Sequence, residues 1–179
     1  MRIVGGRWAG VDLVSPGQRV RPTREEIRAA LFDKLEGDLP HAKVLDLFAG
    51  TGALGLEAIS RGAKSVDFVE NGPPALHALK ANVAKLRVKK WTRLFKKDAF
   101  VFLEGIPQGV DGGPVYDLAL ADPPYTSKGS ERLATIWMER PFSRILCIEH
   151  ASERPLPRPG KRQVFGTTMV TTYRMKENK

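Results

Sequence analysis

Cysteine occurs once in these 179 residues, at position 147. No intramolecular disulfide is therefore available, which fits a reducing compartment. Cys147 stands in the apolar run Ile145-Leu-Cys-Ile148, the setting of a buried structural thiol rather than a nucleophile. The three histidines, His41, His77 and His150, share no metal-ligand spacing with one another or with Cys147, so no metal site is expected. No apolar stretch approaches the roughly 18 residues that a membrane-spanning helix needs. The N-terminus also lacks the core of a signal peptide, and a soluble, cytoplasmic protein with no membrane partner is the expectation. Acidic residues are missing where basic ones gather. Between Lys80 and Lys97 there are eight Lys or Arg and no acid, and between Arg154 and Lys176 six more with none. Residues 1 to 24 add five Arg against one acid, so three blocks hold 19 of the 29 basic residues. A solvated face explains any one block alone. With a net charge of +9 and a pI near 9.9, the set points to a polyanionic partner, of which nucleic acid is the commonest.

The length fits one domain with a single substantial core. In chain order, Arg2-Ile-Val-Gly-Gly-Arg-Trp-Ala-Gly-Val-Asp-Leu-Val14 reads as a small β-hairpin extension ending at Ser15-Pro16-Gly17. Thr23 with Glu26 three residues on forms a capping box for a helix running to about Leu35, and residues 1–40 are expected to pack as a hairpin and helix on a main domain of 41–179. From His41 onward, strands and helices alternate, which implies a parallel sheet covered on both faces. Strands are expected at Lys43–Phe48, Ser65–Glu70, Thr92–Lys97, Asp117–Ala121 and Arg144–Glu149. Helices are expected at Leu54–Arg61, from Pro73 to about Leu86, and at Glu131–Glu139. The tail Gln163–Arg174 breaks at Gly166 into two β runs, hence an antiparallel hairpin at the sheet edge.

Two stretches carry chemistry. Gly50-Thr-Gly-Ala-Leu-Gly55 matches G-x-G-x-x-G, with Glu70 near the distance expected for an acceptor of ribose hydroxyls. A tight ligand-free turn is the plainer reading of such a loop in isolation. Asp46, Gly50, Gly52, Glu70 and Asp98, however, all fall at or just past the carboxyl ends of the first three strands, and so line one crevice. Asp122-Pro-Pro-Tyr125 leaves the fourth strand across the topological switch point. Its carboxylate, its rigid carbonyls and its aromatic face suit the grip of a flat heterocycle by an exocyclic amine, although a proline-rich turn with a capping Asp accounts for the four residues alone.

Asp46-Leu-Phe-Ala-Gly-Thr-Gly52 followed by Asp122-Pro-Pro-Tyr125 resembles a class I S-adenosylmethionine-dependent methyltransferase acting on exocyclic amines. Arg2-Ile-Val-Gly-Gly6, Arg21-Pro-Thr23, Phe165-Gly-Thr-Thr168 and Tyr173-Arg174 narrow the resemblance to the bacterial 16S rRNA guanine-N2 methyltransferase family, RsmD, over nearly the whole chain. It implies a Rossmann-like, seven-stranded, mostly parallel sheet with an antiparallel last strand. It also implies that Asp46, Gly50 and Gly52 hold the methionine part of S-adenosylmethionine, that Glu70 binds the ribose, and that Asp98 with Ala99 meets the adenine. Asp122 and the Pro123 carbonyl would bind the guanine amine, with Tyr125 stacked on the base. Arg7, Arg21 and Arg24 are the candidates for RNA contact, and a monomer acting on 16S rRNA or the assembling small subunit is expected. Two departures from the family pattern stand out. Asn71-Gly-Pro-Pro74 makes a stiff entry to a helix, and the proline-rich Ser152–Gly160 replaces a helix common there. The rival readings are an N6-adenine methyltransferase on DNA or RNA, an NAD-dependent oxidoreductase using the same glycine loop, and a non-catalytic RNA-binding protein on a retained fold.

Overall fold

Seven strands form one sheet in the order β3-β2-β1-β4-β5-β7-β6: β1 (Lys43–Leu47), β2 (Ser65–Val69), β3 (Thr92–Phe95), β4 (Tyr116–Ala121), β5 (Ser143–Ala151), β6 (Lys161–Phe165) and β7 (Thr168–Arg174). The computed structural model describes residues 1–15, 22–109, 112–125 and 128–176, with the side chains of residues 22–24 outside that description. The first five strands pair in parallel. β7 runs antiparallel to both of its neighbours, so the sheet is mostly parallel with an antiparallel last strand, as expected. The closing hairpin turns at Gly166, which holds φ at +59°, the left-handed value that primed two-residue turns need and glycine adopts without strain.

Period-two alternation divides the core between the two faces. Val44, Val66, Phe68, Leu118, Leu120, Ile145 and Cys147 face α1 (Pro22–Lys34), α2 (Ala53–Ser60) and α3 (Pro73–Lys85). Leu45, Val69, Ala119, Ala121, Leu146 and Ile148 face α4 (Ala99–Glu104) and α5 (Gly129–Glu139). Gly55 lets α2 lie close to β2: a Cβ there would stand 2.7 Å from Val66 Cγ1 and collide with the Phe68 ring. Tyr116 and Arg93 both bond the buried Asp67, so an acid facing the α4 side is fully partnered.

The N-terminal hairpin is present as a loop closed by a single antiparallel bridge, Arg2 with Asp12. Gly6 at φ +75° starts a short 3-10 turn over Gly6–Trp8, which interrupts any longer ladder. Side chains of α2 take up the backbone groups instead. Glu57 Oε2 accepts from Val4 N–H at 2.8 Å, and the Ser60 hydroxyl accepts from Trp8 N–H and donates to the Gly5 carbonyl. Ile3 and Leu13 join the core with Leu31 and Phe32 of α1.

Several elements differ from expectation. α1 begins at Pro22, one residue before the expected cap Thr23, because proline suits a first helical turn whose N–H has no intrahelical partner. The Thr23 side chain lies outside the described residues, as do Pro16 and Gly17. β3 ends two residues early, at Phe95. α4 was not foreseen: its six residues Ala-Phe-Val-Phe-Leu-Glu look β-prone, and the Asp98 carboxylate, accepting from Phe100 and Val101 N–H, caps them into a helix. No helix forms across Ser152–Gly160.

Candidate active site

Glu70, Asp46, Asp122 and Glu149 lie at the carboxyl ends of β2, β1, β4 and β5. The sheet register makes them neighbours. Leu47 pairs with Val69 and with Ala121, and Ala121 pairs with Ile148. By the same alternation that sorts the core, all four side chains project toward the α1–α3 face. β1 and β4 also flank the point where strand order reverses, the position at which open α/β sheets bind ligands.

The glycine loop is tied to these acids. Asp46, 1% exposed, accepts from Gly55 N–H at 2.8 Å. Glu70 accepts from Gly50 N–H at 2.7 Å and from Gly72 N–H at 2.6 Å, so it fixes both the first loop and the entry to α3. Burial pushes the Asp46 carboxyl well above its usual range. The Gly55 bond works against that, while the negative charges of Asp122 and Glu70 add to it. Asp122 is thus among the charges that act on Asp46, and the register sets it on the strand beside β1. The three glycines differ in kind. A Cβ on Gly50 would meet nothing nearer than the Phe48 carbonyl at 4.0 Å, whereas on Gly52 or Gly55 it would run into Leu79 or Phe68. Gly50 borders open space, and the other two serve packing. Phe48, at the exit of β1, holds φ at +55°, a left-handed conformation that costs a bulky residue about 1–3 kcal/mol. Its ring packs edge-on against Phe100 at 5.8 Å.

Asn82 of α3, fully buried, joins this loop to the N-terminal segment. Its amide oxygen accepts from Val14 N–H at 2.7 Å, and its nitrogen donates to the carbonyls of Val14 and Thr51 at 3.0 and 2.9 Å. Sequence reasoning missed this residue, because an asparagine inside an amphipathic helix has no distinguishing spacing.

Tyr125 is half-buried and its hydroxyl is anchored. It donates to Glu149 Oε1 at 2.8 Å and lies 3.2 Å from Thr168 Oγ1 of β7. Burial raises its pKa, the Thr168 bond opposes that, and the Glu149 charge adds to it. Glu149 was also missed as a site residue, although an acid ending a strand was the very signal used for Glu70. Arg28 of α1 is buried, with desolvation lowering its pKa and the charges of Glu57, Glu25 and Glu149 countering that loss. It donates to the Arg2 carbonyl, and its Nε is 3.5 Å from Glu57 Oε2 without a hydrogen-bond partner.

The other predicted residues fall as follows. Pro123 is buried beside Asp122. Asp98 is exposed past β3, with Oδ1 occupied by the α4 cap. The Ala99 methyl is buried in the core, so only its backbone is available to a ligand. Arg7 is exposed, with its guanidinium 5.0 Å from the centre of the Trp8 ring. Arg21 lies outside the described residues, and so does the side chain of Arg24. The two larger basic blocks run along opposite edges of the sheet, one through β3 and the other through β6. Some of their charges are engaged internally, Arg93 with Asp67 and Arg174 with Asp38. Among the described residues no cluster of His, Cys, Asp and Glu could hold a metal ion, and no helix is long and apolar enough to cross a membrane.

This strand order, with acids and a glycine loop at the switch point, defines a Rossmann-like fold of the class I methyltransferase type. Residues 1–173 match the family described as Conserved hypothetical protein 95. The chain belongs to that family, the RsmD family of methyltransferases. Among its relatives, the Ribosomal RNA small subunit methyltransferase D of Haemophilus influenzae is 29% identical over 185 residues, covering 99% of this chain and 94% of the relative. The solved structure of yhhF from Escherichia coli is similar with a TM-score of 0.82 at 28% identity, covering 99% of both chains. A hypothetical protein of Thermus thermophilus is similar with a TM-score of 0.82 at 32% identity, covering 98% of this chain and 99% of that one.

Proposed function

We propose that this protein is an S-adenosylmethionine-dependent methyltransferase that modifies the exocyclic N2 of a guanine in 16S rRNA, in the cytoplasm. The observation that carries this reading is the placement of Asp122 beside Asp46 and the glycine loop, across one switch point. A nucleoside cofactor and an amine-bearing base held there would meet at their reacting atoms.

The residues suit that cofactor. A buried Asp46 carboxyl, its pKa raised by burial and by the charges of Asp122 and Glu70, favours a ligand that brings positive charge, and S-adenosylmethionine carries a sulfonium and an ammonium. Asp46 and the open backbone at Gly50 would hold its methionine part and Glu70 its ribose. Asp98 and the Ala99 backbone would hold its adenine. When bound, the cofactor supplies a methyl group that is already electrophilic.

The chain therefore has to prepare the nucleophile. An amine conjugated to a purine keeps its lone pair delocalised. The Asp122 carboxylate and the Pro123 carbonyl would accept its two hydrogens, draw them out of the ring plane and stabilise the charge that develops on nitrogen. Asp122 would then take the leaving proton. The Tyr125 ring, fixed by Glu149 and Thr168, replaces the stacking that an extruded base loses. Fixing both reactants in line contributes several kcal/mol more, on the order of what orientation commonly gives. Arg7, Arg21 and Arg24, with basic residues at the sheet edges, would meet phosphates. Binding that relies on such contacts weakens steeply with salt.

The test is nucleoside mass spectrometry of 16S rRNA from cells lacking this protein, with and without the purified protein and S-adenosylmethionine added back. Loss and restoration of one N2-methylguanosine is the expected result. An N6-methyladenosine instead, or no change, would refute the proposal.

A further inference from the structure

Glu149 does more than the reading above asks of it. A stacking tyrosine needs only its ring, yet the Tyr125 hydroxyl is bound to Glu149 Oε1 at 2.8 Å and supported by Thr168. Glu149 Oε2 accepts no hydrogen bond among the described residues, and the side chain is only half-buried. The pairing of Ala121 with Ile148 sets Glu149 next to Asp122, one strand spacing away, about 4.8 Å. The two acidic residues therefore sit side by side on one face, with the Tyr125 hydroxyl bonded to the second.

A carboxylate can only accept hydrogen bonds. On the Watson–Crick edge of guanine, the N2 amine and the N1–H are adjacent donors, and a pair of neighbouring carboxylates matches them. Adenine presents an unprotonated N1 there, whose lone pair faces a carboxylate with repulsion. A site that leaves polar groups unpaired with the wrong base discriminates far more strongly than one that relies on shape.

We propose that Glu149 selects guanine by accepting its N1–H through Oε2, while Asp122 on the neighbouring strand handles the amine. This rests on the N2-guanine reading above and assigns its specificity to a residue outside the Asp-Pro-Pro-Tyr motif. The Tyr125 hydroxyl occupies Oε1 and leaves the second oxygen for the base.

The experiment compares guanine with 2-aminopurine, which keeps the exocyclic amine but has an unprotonated N1. Each is placed at the methylated position of 16S rRNA in reconstituted small subunits, and kcat/KM is measured for wild type, Glu149→Gln and Tyr125→Phe. Wild type should prefer guanine by at least about tenfold. In Glu149→Gln the amide oxygen stays with Tyr125 and the NH2 faces N1, so the preference should collapse or reverse toward 2-aminopurine. Tyr125→Phe should lower both rates and keep the preference for guanine. An equal fall on both bases in Glu149→Gln would overturn the inference, leaving Glu149 as an anchor for Tyr125 alone. If wild type methylated neither base, the guanine-N2 reading itself would fail and this inference with it.

Discussion

Replacing Asn82 with alanine tests whether the N-terminal segment and the glycine loop are one mechanical unit. The substitution removes three hydrogen bonds, to Val14 N–H, to the Val14 carbonyl and to the Thr51 carbonyl. Val14 is 44% exposed, so water can reclaim its backbone groups, and those two bonds belong at the modest end of the usual range. Thr51 is part of the glycine loop and half-buried, so rehydration of its carbonyl is harder. At about 0.5–1.5 kcal/mol per bond, the loss comes to about 2–4 kcal/mol. For a domain of this size each kcal/mol lowers Tm by about 2–4 °C, so a fall of about 5–15 °C is expected. Urea denaturation followed by circular dichroism gives the free energy. Isothermal titration with S-adenosylhomocysteine should show weaker binding by the variant, because Thr51 sits between Gly50 and Gly52. Asn82→Asp keeps only the acceptor and turns a buried charge toward two carbonyls, so near pH 7 it should be less stable than Asn82→Ala. A loss below about 1 kcal/mol in the alanine variant, with unchanged ligand affinity, would refute the idea that Asn82 couples the two segments.

Asp122→Ala should retain S-adenosylhomocysteine affinity within a few-fold and lose roughly 100- to 1000-fold in kcat, the usual scale for removing a group that stabilises developing charge; filter-binding assays with tritiated cofactor read both, and unchanged turnover would remove Asp122 from the chemistry. Asp46→Asn should stabilise the ligand-free protein increasingly as pH rises. The raised carboxyl pKa means that the folded state holds its proton longer than the unfolded one, so wild type loses stability as pH climbs from the usual carboxylate range through the raised value. The amide still accepts from Gly55 but cannot ionise, and a Tm difference between variant and wild type that stayed flat from pH 4 to 8 would contradict this. Cys147 is 2% exposed, and burial pushes its thiol pKa up to about 12. As the chain's one cysteine, it should resist an aromatic disulfide reagent at pH 8 until denaturant is added; rapid labelling of the native protein would show that β5 opens locally.

Much of the sheet was legible in the sequence because each parallel strand there is a short apolar run ended by an acid or a glycine. Asp46, Glu70, Asp98 and Asp122 mark those ends, and β1, β2 and β4 begin or stop within one residue of the expected positions. The two departures have different causes, one local and one distant in sequence. α4 depends on the Asp98 cap, which is invisible when an aspartate is read only as a ligand acceptor. The N-terminal hairpin shortens because its backbone is bonded by Glu57 and Ser60, partners more than fifty residues away that no local pattern reveals. The same holds for Glu149 and Asn82. Each matters through tertiary contacts with Tyr125 or with Val14 and Thr51, and neither lies in a motif.

The bond between Tyr125 and Thr168 has a consequence for timing. β7 is threaded between β5 and β6 and is the last of these elements to be synthesised, so on a translating ribosome the ring proposed to carry the base lacks its Thr168 brace until that hairpin has emerged. A nascent chain can already have formed its glycine loop and Asp122 turn by then, yet it would lack a firm seat for RNA. Competence to modify would arrive abruptly, with the closing strand.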